Sequence, residues 1–122
     1  MRTLGTDIIE VIRIATSIER YGDSFLKKIF TPREIEICRE RATSAQSFAG
    51  KFAAKEAVIK ALLSAFPEMN ILFSQIEIDN DPNGRPIVRL LSKSKENSRI
   101  KSIEVSVSHI KKYANAIAMV EV

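Results

Sequence analysis

The spacing of apolar positions predicts that the chain begins with a strand and two short helices. Residues 3–11 form a mostly apolar run that is typical of a short strand. Apolar side chains then recur at helical spacing over residues 13–21, and Gly22 can end that helix. Asp23 can cap a second short helix that carries Phe25, Leu26 and Ile29.

Two further helices are predicted before the middle of the chain. Thr31-Pro32-Arg33-Glu34 combines a capping residue, a proline at the first helical position and a glutamate that can reach back to the cap. We therefore expect a helix from residue 32 to about residue 42. The longest helix is predicted from residue 46 to about residue 65, with Pro67 closing it.

The second half of the chain alternates with a period of two, which indicates strands. Strands are expected over residues 74–79, 86–91, 103–107 and 113–122, and the first two are joined by turn residues Asp81-Pro82-Asn83-Gly84. The sequence thus predicts an α+β fold with one N-terminal strand, a block of helices and a mostly antiparallel sheet packed against the long helix.

Length and composition narrow the class of protein. The chain has 122 residues, of which 45% are hydrophobic and 28% charged, so we expect a single globular domain over residues 1–122. No apolar run is long enough to predict a membrane span, and the first residues do not follow the pattern of a signal peptide. Cys38 is the only cysteine and His109 the only histidine, which excludes a zinc site within one chain and favours a reducing cytoplasm.

The net charge of +4 favours acidic partners such as phosphates, nucleic acid or an acidic protein. Aromatic residues make up only 7% of the chain, fewer than the stacking surfaces of single-strand binders use. Charge alone leaves open a small basic polyanion-binding protein without catalytic activity.

Two clusters of charge interrupt apolar segments. Glu56 and Lys60 lie one turn apart on the long helix with apolar residues on both sides, which indicates a pocket or an interface rather than an ordinary surface pair. Asp7 and Glu10 lie in the first strand and point to opposite faces, so one of them must be paired or ligate a metal. Asp7 and Glu56 together would be suitable ligands for Mg²⁺, although an edge strand with a salt bridge is equally compatible.

Four ordered blocks resemble a known family. LGTDIIEVIRI (residues 4–14) resembles the opening of the holo-acyl-carrier-protein synthases, and FAGKFAAKEAVIKA (residues 48–61) is similar to their second signature. Asn83-Gly84-Arg85-Pro86 and Ser106-Val107-Ser108-His109 match the two later blocks. The resemblance covers nearly the whole chain.

The resemblance implies transfer of 4′-phosphopantetheine from coenzyme A to a serine of apo-acyl carrier protein, with release of adenosine 3′,5′-bisphosphate, in support of fatty acid biosynthesis. It implies Asp7 and Glu56 as Mg²⁺ ligands, Glu56 as a group that helps deprotonate the serine, and Lys60 as the cation at the departing phosphate. Lys51 would be a further phosphate contact.

The family analogy also implies partners. It implies a homotrimer with active sites between subunits, in which Pro86 and His109 reach coenzyme A from the neighbouring chain. Arg13 corresponds to a residue that meets the acidic carrier protein, and Arg20 lies on the same helix face seven residues later. Neither nucleic acid nor a membrane is an expected partner.

The sequence departs from the family pattern at two places. Residues 62–68 lack the glycines that the family has near the nucleotide, and Thr6 stands where an apolar residue is common. An inactive assembly subunit with this fold is a third interpretation, although Asp7, Glu56, Lys60 and His109 are all present.

Overall fold

A computed structural model describes all residues from Met1 to Val122, and it confirms the α+β fold class. The helices are α1 (Val11–Tyr21), α2 (Asp23–Ile29), α3 (Pro32–Arg39) and α4 (Ser44–Ala65). The strands are β1 (Arg2–Glu10), β2 (Ile76–Asn80), β3 (Pro86–Leu90), β4 (Ser102–His109) and β5 (Tyr113–Glu121).

The strands form two antiparallel sheets instead of one. The larger sheet has the order β1-β5-β4, so the first strand pairs with the last, and Asp7 lies opposite Ala116. The smaller sheet is the β2–β3 hairpin, whose turn places Gly84 at φ 85°. Periodicity identifies which residues form strands but not which strands pair, so this division could not be read from the sequence.

Helix boundaries differ from the predicted ones by a few residues. Helix α1 starts at Val11, directly after the last residue of β1. The Val11 amide donates to the Lys112 carbonyl oxygen at 2.8 Å. Helix α3 ends at Arg39 rather than near residue 42, and α4 starts at Ser44 rather than Gln46. Residues Phe73–Gln75 form a single 3₁₀ turn before β2.

Helix α4 lies directly on the larger sheet because the contact is made of small residues. Ala57 and Ala61 of the helix are fully buried against β1, and the alanines of β5 are buried beside them. A Cβ placed on Gly5 would lie 2.0 Å from the Ala57 carbonyl oxygen and 2.8 Å from the Ala61 nitrogen. No side chain other than hydrogen therefore fits at Gly5 without moving the strand off the helix.

A buried ion pair connects α3, α4 and the hairpin. The predicted capping box of Thr31 and Glu34 is present, and Glu34 has a second role that the sequence analysis missed. Its Oε1 accepts from the Lys55 ammonium at 2.6 Å, and its Oε2 accepts from the Ile78 amide at 2.7 Å. Because Glu34 and Lys55 are both fully buried, the charges compensate each other where neither would be stable alone.

The face of the larger sheet that points away from α4 is open. Leu4, Ile8 and Ile117 project from it with 62%, 68% and 50% of their surface exposed. The alternate positions of β5 (Ala114, Ala116 and Ala118) are buried towards α4, so these alanines pack on the chain's own helix. No helix of the structure is both long and apolar enough to cross a lipid bilayer.

Replacing Gly5 by alanine tests the close contact between β1 and α4. We expect Gly5→Ala to lower the free energy of unfolding by about 2–3 kcal/mol, because the added methyl group meets rigid backbone atoms. Gly50→Ala is the matched control: its Cβ would meet only the Val107 Cγ1 methyl at 3.3 Å, so we expect a change below about 1 kcal/mol. Urea unfolding of both variants measures the difference, and equal values would contradict the contact.

The buried thiol of Cys38 makes stability depend on alkaline pH. Burial raises the pKa of Cys38 from its ordinary value of 9.0 to about 11, so the unfolded chain releases this proton first. Stability present below about pH 9 is therefore lost as the pH rises towards 11. Between pH 8 and 10.5 we expect the wild type to lose ~2 kcal/mol more than Cys38→Ala, measured by urea unfolding. If both proteins lost the same free energy of unfolding, the Cys38 thiol would have the same pKa in the folded and the unfolded chain.

Candidate active site

The first charged cluster lies where β1 crosses α4. Asp7 is the residue of its strand that points towards the helix, with only 16% of its side chain exposed, whereas Glu10 points to solvent as the alternation predicts. The Lys60 ammonium lies 3.5 Å from the Asp7 carboxylate and donates to the Thr6 carbonyl oxygen at 2.9 Å. Glu56 lies on the same stripe of α4, half-buried, without a hydrogen-bond partner in the chain.

The ion-pair partner of Lys60 differs from the one that helical spacing suggests. The side chain of Lys60 is 53% exposed within the single chain, and its ion pair is with Asp7 rather than with Glu56. The reason is the close contact of β1 with α4, which places the Thr6 carbonyl and the Asp7 carboxylate within reach of the lysine. Helical spacing alone contains no information about a strand from the other end of the chain.

Two neighbouring carboxylates make this cluster a candidate cation site. Burial, and then the negative charge of Asp7, raise the pKa of Glu56, while Lys60 partly offsets this increase. Apart from Asp7 and Glu56 no third carboxylate, histidine or cysteine is close enough to complete a protein cage. Two hard carboxylates fit Mg²⁺, which takes one or two of them and fills its other positions with water and phosphate oxygens.

The second cluster lines a cavity of about 440 Å³. It is formed by α4, the hairpin turn and the end of β4, and it contains Lys51, Pro86 and His109 from the sequence analysis. Arg41 and Arg85 also line it. Together with Lys51 they give the walls three basic side chains, and no carboxylate lines the cavity. Such a cavity is suited to an anionic ligand that also has an apolar part.

Two polar residues, Gln46 and Asn80, support this cavity, and the sequence analysis did not identify them. Gln46 lies 3.1 Å from the Nδ1 atom of His109, and Gly50 leaves room for the histidine beside α4. Asn80 accepts from the Lys51 ammonium at 2.8 Å and donates to the Gly84 carbonyl oxygen at 3.0 Å. The only signal for them is their position next to the matched blocks, because each acts through a partner distant in sequence.

The two clusters lie on different sides of α4. Lys51 and Glu56 are five positions apart, which is about 140° around the helix at 100° per residue. Asp7, Glu56 and Lys60 face β1, whereas Lys51 faces the hairpin, and none of the first three lines the cavity. Within one chain, the predicted site residues therefore form two separate groups, one at β1 and one at the cavity.

Arg13 and Arg20 extend from helix α1. Both are exposed and neither forms an ion pair within the chain, so both are free to meet an acidic partner.

The glycine-free stretch 62–68 continues α4 to Ala65 and then buries Phe66 in the core. Its residues do not line the cavity.

Comparison with known proteins places these features in a family. Residues 3–118 match the 4′-phosphopantetheinyl transferase superfamily. The holo-[acyl-carrier-protein] synthase of Ruminiclostridium cellulolyticum is 49% identical over 96% of this chain and 90% of its own length, and that of Halothermothrix orenii is 37% identical over 99% and 98%.

A solved structure agrees with both the fold and the sequence match. The Helicobacter pylori holo-[acyl-carrier-protein] synthase, crystallised in complex with coenzyme A, superimposes with a TM-score of 0.83 at 33% identity and covers 97% of this chain and 99% of its own. Nearly full coverage in both directions means that the similarity is not confined to one motif. This chain belongs to the holo-[acyl-carrier-protein] synthases, a family of enzymes within the 4′-phosphopantetheinyl transferase superfamily.

Proposed function

We propose that this enzyme transfers 4′-phosphopantetheine from coenzyme A to a serine of apo-acyl carrier protein and releases adenosine 3′,5′-bisphosphate. The observation that carries the proposal is the pair of carboxylates of Asp7 and Glu56 at the β1–α4 crossing, in a chain whose relatives are synthases of this kind. The whole chain acts as one catalytic domain in this proposal.

Asp7 and Glu56 would hold Mg²⁺. Burial first, and then the negative charge of Asp7, raise the pKa of Glu56, and a cation between the two carboxylates would remove their repulsion. When bound, Mg²⁺ supplies positive charge that stabilises the phosphoryl group during transfer. Gly5 and the Lys60–Thr6 hydrogen bond hold β1 in place against α4, which fixes the spacing of the two ligands.

Glu56 would accept the proton of the attacking serine, and Lys60 would stabilise the negative charge of the departing phosphate. The serine oxygen attacks the phosphorus of the pantetheine phosphate, and the bond from that phosphorus to the bridging oxygen breaks. Glu56 would take up the serine proton, directly or through water. The Lys60 ammonium neutralises or protonates the departing phosphate.

Lys51, Pro86 and His109 would bind coenzyme A in the cationic cavity. His109 would lie near the 3′-phosphate, and Lys51 would be a second cation for the same anionic part of the ligand. The cavity has the required chemistry, because its walls carry positive charges next to Pro86 and Val105. The relative from Helicobacter pylori is itself a complex with coenzyme A.

A homotrimer would join the two clusters. Coenzyme A in the cavity of one chain would present its pyrophosphate to Asp7, Glu56 and Lys60 of a neighbour, since the two groups face opposite sides of α4 within a chain. The apolar outer face of the larger sheet, with Leu4, Ile8 and Ile117 exposed, is a surface that such an assembly would bury.

The acidic carrier protein would dock on Arg13 and Arg20 of α1. Both guanidinium groups are exposed, and the net charge of +4 would favour its approach by electrostatic steering. Attachment of phosphopantetheine to this carrier places the enzyme in fatty acid biosynthesis. A cytoplasmic location fits the one unpaired thiol, Cys38, and neither nucleic acid nor a membrane is required as a partner.

Intact mass spectrometry of apo-acyl carrier protein tests the reaction. We expect the wild type with coenzyme A and Mg²⁺ to add one phosphopantetheine, and EDTA to abolish the addition. Glu56→Gln should lower kcat at least about a hundredfold, because it removes both a metal ligand and the base. Glu96→Gln is the matched control: it makes the same change at another half-buried carboxylate that forms no ion pair and lies outside both clusters, and it should retain activity.

Different failures of this test have different meanings. No mass gain with several carrier proteins would support an inactive subunit or a polyanion-binding protein. Full activity of Glu56→Gln with unchanged Mg²⁺ dependence would reject the assigned metal site while leaving the reaction intact.

Mixing two inactive variants tests whether the site forms between subunits. Glu56→Gln and His109→Ala each lack one half of the site, so each homotrimer should be inactive. After the two are dissociated and reassembled in equal amounts, we expect about one quarter of the wild-type activity, because a quarter of the interfaces combine two intact halves. Continued inactivity of the mixture, with trimers present by light scattering, would place both residues in one subunit's site.

A further inference from the structure

Lys51 is a buried lysine that forms no ion pair within the chain, although the carboxylates of Glu34 and Asp79 offset part of the effect of burial on its pKa. Only 9% of its surface is exposed, and its ammonium donates one hydrogen bond, to the amide oxygen of Asn80 at 2.8 Å. Lys55, one turn later on the same helix, is also buried but forms an ion pair with Glu34 at 2.6 Å. The same helix thus carries one lysine whose charge is compensated and one whose charge is available at the wall of the cavity.

An uncompensated buried ammonium is costly for the fold. Burial lowers the pKa of Lys51, which is the expected response of an ammonium group that has lost water. An amide oxygen satisfies one of its three N–H groups but adds no negative charge. The remaining positive charge can be satisfied by an anion that enters the cavity.

The carboxamide group of Asn80 fits both of its contacts. Its Oδ1 accepts from Lys51, which can only donate, and its Nδ2 donates to the carbonyl oxygen of Gly84, which can only accept. An aspartate of the same shape would form an ion pair with Lys51 and lose the bond to Gly84. A shorter or apolar side chain would lose both contacts.

The bond to Gly84 connects Lys51 to the far wall of the cavity. Gly84 ends the hairpin turn and is followed by Arg85 and Pro86, which both line the cavity. The Asp81 carboxylate organises the same turn by accepting from the amides of Asn83 and Arg85. Asn80 therefore sets the distance between the cation on α4 and the cation that follows the turn.

We propose that Asn80 is a positioning residue for the coenzyme A site: it holds Lys51 at the cavity without neutralising it and fixes the turn that carries Arg85 and Pro86. The consequence is selectivity for a ligand with a phosphate monoester, the 3′-phosphate that distinguishes coenzyme A from dephospho-coenzyme A. This inference rests on the proposed function, in which the cavity binds coenzyme A.

Calorimetric titration with coenzyme A and dephospho-coenzyme A tests the inference without carrier protein or turnover. We expect Asn80→Asp to weaken coenzyme A binding at least about tenfold and dephospho-coenzyme A binding less than about threefold. Asn70→Asp is the charge-matched control at an exposed position outside the cavity, and it should bind both ligands as the wild type does.

A double-mutant cycle with Lys51→Gln separates positioning from general damage. Once the lysine charge is gone, Asn80→Ala, which adds no charge to the cavity, should cost less further affinity for coenzyme A than it does when Lys51 is present. Lys51→Gln alone should also reduce the preference for coenzyme A over dephospho-coenzyme A, and this measurement tests the idea even if Asn80→Asp does not fold.

The outcomes are distinct. Wild-type protein that binds no coenzyme A would overturn the proposed function. Coenzyme A binding by Asn80→Asp at wild-type strength would overturn only the role of Asn80. Equal weakening for both ligands by Asn80→Asp, or a full Asn80→Ala effect in the Lys51→Gln background, would show a structural role instead.

Discussion

The structure depends on the direct contact between strand β1 and helix α4. Hydrogen at Gly5 and methyl groups on the helix let two backbones approach more closely than ordinary side chains allow. This approach brings a strand from the start of the chain to the middle of its longest helix, and so places Asp7 next to Glu56 and Lys60. A carboxylate pair that is far apart in sequence thereby becomes one candidate cation site.

The charged residues of helix α4 point towards two different neighbours. One side carries Glu56 and Lys60 towards the strand, and another carries two lysines towards the hairpin. Lys55 is compensated by Glu34 and holds α3, α4 and β2 together, whereas Lys51 has only the neutral Asn80 as its partner. Two lysines one turn apart therefore have different roles. Lys55 faces a carboxylate and stabilises the fold, whereas Lys51 faces an amide and keeps its charge available at the cavity.

The separation of the two clusters has a consequence for assembly. Within one chain the cationic cavity and the carboxylate pair lie on different sides of α4, so we propose that a ligand touching both does so across a subunit boundary. The exposed apolar face of the larger sheet belongs to the same strand, β1, that carries Asp7. An assembly that buries this face would therefore also bring site residues to a subunit boundary, which is the arrangement we propose.

The sequence by itself determined the local elements, the α+β class and the family, because periodicity, the Thr31–Glu34 capping box and four ordered motifs are properties of neighbouring residues. It also singled out Asp7, Glu56 and Lys60 as charged residues within apolar segments, and the family resemblance pointed to Lys51 and His109. Only the tertiary structure decided that the strands form two sheets, that Lys60 pairs with Asp7, and that Gln46 and Asn80 support the cavity. These contacts join segments up to 119 residues apart, and no local pattern records which distant partner will satisfy a given charge or hydrogen bond.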